Sequence, residues 1–162
     1  MDISRKTDYA LRMIARLVES PDATLSVRSA AQESGVPYSF ARSIQHDLAT
    51  AGLVTNVRGA NGGMRLAVNP RETTLLDVVR AVQGPVVFGC CRTAGEGGAP
   101  CPNRADCRYT SVWCQGERLL EGLFGSVTLH QLIAERRTPV PHATFELVPE
   151  GESRRAAEDA RR

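Results

Sequence analysis

With 162 residues, 42% of them apolar and 23% charged, the chain can bury the core of one compact domain, or of a small domain with an extension, without crosslinks. Its net charge is +2, residues 1–83 carry ten Lys/Arg against eight Asp/Glu, and residues 84–162 carry ten of each, so bulk charge draws nucleic acid only weakly and any such role has to rest on where individual arginines sit. No apolar run approaches a bilayer span, and the opening MDISRKTDYALRM, with Asp2 and Asp8 and no apolar stretch, reads as neither a signal peptide nor an anchor, so a cytoplasmic protein without a membrane role is expected.

Residues 4–19 place Ala10, Leu11, Ile14, Leu17 and Val18 on one helical stripe behind Ser4, a plausible N-cap. After the breaker SPDAT, Ser26 caps a short helix, VRSAAQES, that stops at Gly35, where a left-handed residue suits a helix end. Val36, Pro37 and Tyr38 turn the chain into a third helix, SFARSIQHDLATA, closed by Gly52. Ala31, Gly35, Val36 and Ile44 have the spacing of a helix-turn-helix: a small residue at the crossing, a turn glycine, then apolar side chains packing the second helix on the first.

Two β-prone runs follow, 53–57 and 64–68, joined by RGANGG, whose glycines and asparagine tolerate hairpin turns. A helix-turn-helix followed at once by a hairpin is the winged-helix order. Thr74 then caps LLDVVRAVQ, which ends at Gly84 and Pro85. From 109 to 124, Val112, Trp113, Leu119, Leu120, Leu123 and Phe124 recur at helical spacing, with Gly116 the one weak interior position, and such a helix beyond a complete small domain invites self-association. Thr128 or Ser126 opens a last short helix, LHQLIAE. Past Thr138 the chain reads as a solvated tail. The expected fold is mainly α with a small β-hairpin wing, divided into a DNA-binding winged helix (1–83), a cysteine loop (84–108), a dimerisation helix with a short last helix (109–137) and a flexible tail (138–162).

All five cysteines lie between residues 89 and 115. In a cytoplasmic chain such a cluster points to metal or redox chemistry rather than to structural disulfides. Nine residues separate Cys91 from Cys101 and five separate Cys101 from Cys107; no pair has the C-x2-4-C spacing of zinc ribbons and knuckles. Long glycine- and proline-bearing intervals suit a loop around an iron-sulfur cluster. Cys114 stands two turns beyond Cys107, about 10 Å along a helix at 1.5 Å per residue, and is expected to be an inert, buried thiol. Cys101, Cys107 and either Cys90 or Cys91 supply three thiolates, and a fourth ligand has to come from elsewhere in the chain or from a partner. Trp113 reads as interface core and Tyr109 as packing, while His130 and His142 have no ligand spacing. There is no nucleotide-binding loop, Ser-His-Asp pattern or pair of catalytic carboxylates, so an enzyme is not expected.

Taken together, ISRKTDYALRMIARL, the wing VRGANGGMRLA, the helix TTLLDVVRAVQG, the cysteine loop and the helix through Trp113 resemble the Rrf-type winged-helix regulators over residues 1 to about 135. The resemblance implies a homodimer on palindromic double-stranded operators. It also implies that the long helix lies at the dimer interface and that a cluster is held between a loop of one subunit and the first helix of the other. Counted from Gly84, Cys91 falls at the first ligand position better than Cys90, although the interval to Cys101 is longer than usual for the family. The histidine that IscR-like members carry three residues after the last cysteine is Thr110 here. The aspartate that NsrR-like members carry in the first helix is matched by Asp8. The resemblance thus implies ligation by Cys91, Cys101, Cys107 and Asp8 of the other subunit, with 4Fe-4S favoured and 2Fe-2S the alternative, in a repressor answering nitric oxide or an oxidant. A cluster-free regulator switched by a disulfide such as Cys101 to Cys107 stays open beside it.

In a helix-turn-helix the start of the second helix meets base edges, which here means Tyr38, Ser39, Arg42 and Ser43, with Gln45 and His46 one turn on. Arg42 can pair with guanine O6 and N7, and Ser39, Ser43 and Gln45 can donate to bases or phosphates. Arg58 at the wing tip suits a narrow minor groove, and Gly59, Gly62 and Gly63 would let the wing backbone come close to it. Arg28 and Lys6 are placed to touch phosphates, which positions a protein without reading sequence.

Overall fold

In the computed structural model, residues 3–59, 62–88 and 107–136 are described. Cys90, Cys91, Cys101, His142 and the tail fall outside them, as do residues 60 and 61 of the wing tip. The element order is α1 (Arg5–Glu19), α2 (Val27–Ser34), α3 (Tyr38–Thr50), β1 (Val54–Val57), β2 (Gly63–Leu66), α4 (Leu75–Gln83), α5 (Thr110–Gly125) and α6 (Leu129–Ile133). This is the expected mainly helical fold with a two-stranded antiparallel hairpin, in which Val54 pairs with Leu66 and Val57 with Gly63. The second strand begins one residue earlier than expected and ends two earlier.

Helix starts are set by side-chain caps. Ser4, Ser26, Thr74 and Thr128 each accept the amide three residues on, and Thr74 with Asp77 and Thr128 with Gln131 complete capping boxes. Gly35 ends α2 at φ 65°, and the Val36 amide returns to the Ala31 carbonyl at 2.8 Å, which fixes the turn into α3.

The core is organised around α1. Ala10, Met13, Ile14 and Leu17 have no exposed surface and pack with Ala30 of α2, Ala41, Ile44 and Leu48 of α3, Met64 of β2, Val78 of α4 and Leu129 of α6. Burial of each large side chain in this set contributes about 1.5–3 kcal/mol. Met13, left out of the stripe read from the sequence, is fully buried, whereas Leu11, included in it, is only half-buried. A polar clasp holds the N-terminal end of α1 against α4: the Gln83 side-chain carbonyl accepts from the Ser4 amide and from the fully buried Thr7 hydroxyl, both at 2.9 Å.

Helix α6 belongs to this same body. The amides of Leu75 and Leu129 donate to the carbonyls of Val127 and Thr73 at 2.9 Å each, so Thr74 and Thr128 form a β-bridge that carries Leu129 into the core. Helix α5, by contrast, packs on α4 and turns Val112, Trp113, Leu119 and Leu123 outward, 61, 44, 47 and 37% exposed. Cys114, expected to be buried, is half-buried in the single chain because it lies on a helix with cover on one side.

Two wing glycines are required by the fold itself. A Cβ on Gly63 would stand 2.2 Å from the Leu25 carbonyl oxygen, where Leu25 and Met64 exchange backbone hydrogen bonds of 3.0 and 2.8 Å. A Cβ on Gly62 would stand 2.4 Å from the Val57 carbonyl oxygen. The segment before α2 is therefore stitched to the hairpin, and the wing is tied to the helix-turn-helix through backbone contact.

Gly63→Ala should break this stitch and lower stability by about 2–3 kcal/mol, from two backbone hydrogen bonds and the backbone displacement a Cβ forces. Gly52→Ala, at φ 73° with nothing within 4 Å of its Cβ, should lower it by about 1 kcal/mol from left-handed strain alone. Urea unfolding of both variants measures the difference, and equal losses would contradict the close approach at Leu25.

Candidate nucleic-acid interface and cluster ligands

The exposed side of α3 gathers the groups expected to meet DNA. Tyr38, Ser39, Arg42, Ser43 and His46 are all exposed, while Ala41, Ile44 and Leu48 anchor the opposite side in the core. This division follows from the sequence: buried residues recur at three- and four-residue intervals and the polar ones fill the gaps. Arg28 on α2 stacks over the Tyr38 ring, with its guanidinium carbon 5.5 Å from the ring centroid. This cation–π contact holds two long side chains at the N-terminal end of α3 in one arrangement.

Gln45, expected to donate to a base or phosphate, is engaged within the chain. Its amide nitrogen donates to the Asn56 side-chain oxygen at 2.9 Å, which ties the exposed side of α3 to strand β1 of the wing. Gln45 thus links helix and wing. Arg58 and Gly59 are exposed at the start of the wing tip, Gly59 at φ 119°, a backbone state that favours glycine. Lys6 forms an ion pair with Asp47 of α3, so its charge braces α1 against α3.

Phe40, which the sequence reading passed over, stands 40% exposed on α3 and meets Tyr9 of α1 edge-to-face at 5.5 Å. Its position on α3, between Ser39 and the buried Ala41, is the signal that could have found it.

Of the expected ligands, Asp8 and Cys107 are described. Asp8 lies in the first turn of α1, away from the core, with its side chain 50% exposed and its carboxylate 2.8 Å from Arg12 one turn on. The Arg12 guanidinium also lies 5.8 Å from the Tyr9 ring centroid. Cys107 is half-buried just ahead of α5, and Thr110 is the first residue of that helix. Cys91 and Cys101 lie outside the described residues, and the described ones alone bring no three His, Cys, Asp or Glu side chains together as a metal site. The donor chemistry of Asp8 and Cys107 fits iron: a carboxyl oxygen and a thiol sulfur are both ligand types for it, and both side chains are partly exposed.

The sequence reading also missed the buried acid of α5. Glu117 is 3% exposed and its Oε1 accepts the Phe88 amide at 2.9 Å. Its only signal was its place beside Gly116 on the side of α5 opposite Leu119 and Leu123.

A family model described as "Iron-dependent Transcriptional regulator" (Rrf2) matches residues 3–135. An rrf2-like HTH-type transcriptional regulator of Rhodobacter capsulatus is 32% identical over 139 residues, covering 82% of this chain and 92% of that protein. The HTH-type transcriptional repressor NsrR of Streptomyces coelicolor is 31% identical over 142 residues, covering 86% and 93%. Among solved structures, CymR, the global cysteine regulator of B. subtilis, superposes with TM-score 0.64 at 25% identity, over 83% of this chain and 98% of that one. IscR of T. potens superposes with TM-score 0.63 at 25% identity, over 85% and 89%. The helix-turn-helix, the wing and the family match over residues 3–135 lead to one conclusion: this chain belongs to the Rrf2 family of winged-helix transcriptional regulators.

Proposed function

We propose that this protein is a homodimeric transcription repressor whose grip on a palindromic operator depends on an iron-sulfur cluster and is altered by nitric oxide or an oxidant. The observation that carries the DNA reading is the exposed side of α3, where Tyr38, Ser39, Arg42, Ser43 and His46 face solvent together, beside Arg28 and the Arg58 wing. Arg42 reads guanine; Arg28 and Arg58 hold the backbone and minor groove. Gln45, through Asn56, keeps the wing at a fixed angle to the reading helix.

The dimer reading rests on α5. Val112, Trp113, Leu119 and Leu123 form an apolar stripe of the kind that a second copy covers. The ligand set is Cys91, Cys101 and Cys107 of one subunit with Asp8 of the other, and Cys90 is the alternative to Cys91. Support for Asp8 comes from its exposed place on α1 and from the likeness to the NsrR repressor; 4Fe-4S is the favoured cluster and 2Fe-2S the alternative. When bound, a cluster supplies a centre that reacts with nitric oxide and oxidants, and a carboxylate is its weakest protein ligand. Arg12 holds the Asp8 carboxylate in a defined rotamer until it is engaged. The likeness to CymR favours a second reading, in which thiols such as Cys101 and Cys107 switch the dimer with no metal.

Arg42→Ala should weaken binding to operator fragments selected from random DNA by about 10- to 100-fold, the loss of one bidentate base contact. Salt-sensitive binding to scrambled DNA should stay within about twofold. Fluorescence anisotropy at two salt concentrations compares them, and equal weakening on both DNAs would make Arg42 a phosphate contact.

Leu119→Glu should drive the dimer toward monomer, read by sedimentation velocity; an unchanged dimer would place the interface elsewhere.

Native mass spectra of anaerobically purified protein should show a dimer carrying two 4Fe-4S clusters, and Asp8→Ala should lose the cluster or shift its absorption. Two 2Fe-2S clusters, or an Asp8→Ala variant identical to the parent, would remove Asp8 from the ligand set. A metal-free dimer after failed reconstitution would favour the thiol switch.

A further inference from the structure

The cysteine segment leaves the body at Phe88 and returns at Cys107, the last and first described residues on its two sides. Its departure point is pinned to α5 by three contacts. The Phe88 amide donates to Glu117 Oε1 at 2.9 Å, its ring is tilted 35° against Trp113 at 6.5 Å, and the same ring lies over Gly116, where a Cβ would come within 3.2 Å of Phe88 Cε2. Val86, two residues earlier, is 2% exposed, so this stretch is seated rather than loosely attached.

Glu117 is the anomaly in this arrangement. Helix α5 turns four large apolar side chains to solvent, yet its one buried residue is an acid. Burying a carboxylate is costly unless its oxygens are hydrogen-bonded, so this position is retained for the bonds it makes rather than for packing. Neither base reading nor the exposed stripe of α5 uses it.

We propose that Glu117 is a positioning residue for the cysteine segment. It clamps the start of that segment, through Phe88, to the helix whose own start follows Cys107. Phe88 and Cys107, the described residues that flank the segment, are thereby both placed relative to α5. The clamp itself is a feature of the fold; its effect on ligation rests on the cluster reading above.

The test compares the full-length parent with Glu117→Gln, Glu117→Ala and Glu117→Leu, all purified anaerobically. Gln keeps the acceptor oxygen, Ala removes it while favouring helix, and Leu removes it while filling the space. Peptides spanning residues 84–88 should exchange amide hydrogen about tenfold faster in the Ala and Leu variants, and iron release to ferrozine should speed up by a similar factor, with helicity by circular dichroism unchanged. The Gln variant should stay within about twofold of the parent in both. Parent-like exchange and release in the Ala and Leu variants would overturn the proposal, as would a Gln variant as fast as they are. A parent with no cluster would remove the cluster reading, and amide exchange alone would then decide the clamp.

Discussion

Helix α1 is the constraint on which the other elements depend. Its stripe of Ala10, Met13, Ile14 and Leu17 is sealed from solvent by residues from α2, α3, α4, α6 and β2, so none of these elements can move far without opening this contact. Close-packed interiors resist continuous deformation, and a body built round one central helix therefore behaves as a unit. The face of α1 that carries Asp8 and Arg12 must then point outward. Burial of one stripe thus settles both the angle of the reading helix and the exposure of the candidate ligand.

Polar contacts at the ends of α1 and α3 make this arrangement specific. The Gln83 clasp on Ser4 and Thr7 fixes the start of α1 against the end of α4, and Lys6 joins Asp47 of α3. These bonds add less free energy than the buried stripe, since a single intramolecular hydrogen bond contributes about 1 kcal/mol net. What they add is register: Asp8 follows Thr7 directly, and the segment that carries the cysteines begins just beyond Gln83. The start of α1, which carries Asp8, and the end of α4 are thereby held in register by a short run of hydrogen bonds.

The wing obeys a different rule. Its strands are short, and Val57 is 40% exposed, so apolar burial does little to hold the tip. Backbone contact holds the base instead: Leu25 pairs with Met64 across the space that a side chain on Gly63 would fill, and Gln45 reaches Asn56. The wing is thus fastened at its base to α3 and to the segment just ahead of α2. Helix α5 is joined to that body mainly through α4, including the 2.8 Å Arg80–Glu121 pair, and presents the apolar stripe suited to a second copy.

Much of this was legible in the sequence because it is encoded over short distances. Caps at Ser4, Ser26, Thr74 and Thr128, the left-handed stop at Gly35 and the apolar spacing of α1 and α3 depend on residues three or four apart, and each pattern has one inexpensive local solution. The division of α3 into a buried and an exposed side follows from the same periodicity, so Arg42 and its neighbours could be named in advance. Only the tertiary structure decided the contacts between residues far apart. It turned Gln45 toward Asn56, set Gly63 against the Leu25 backbone, brought α6 back into the core through Thr73 and Thr74, and buried Glu117 beneath Phe88. No spacing rule carries that information, because which polar group is buried and which partner satisfies it are fixed when separate elements meet and exclude water.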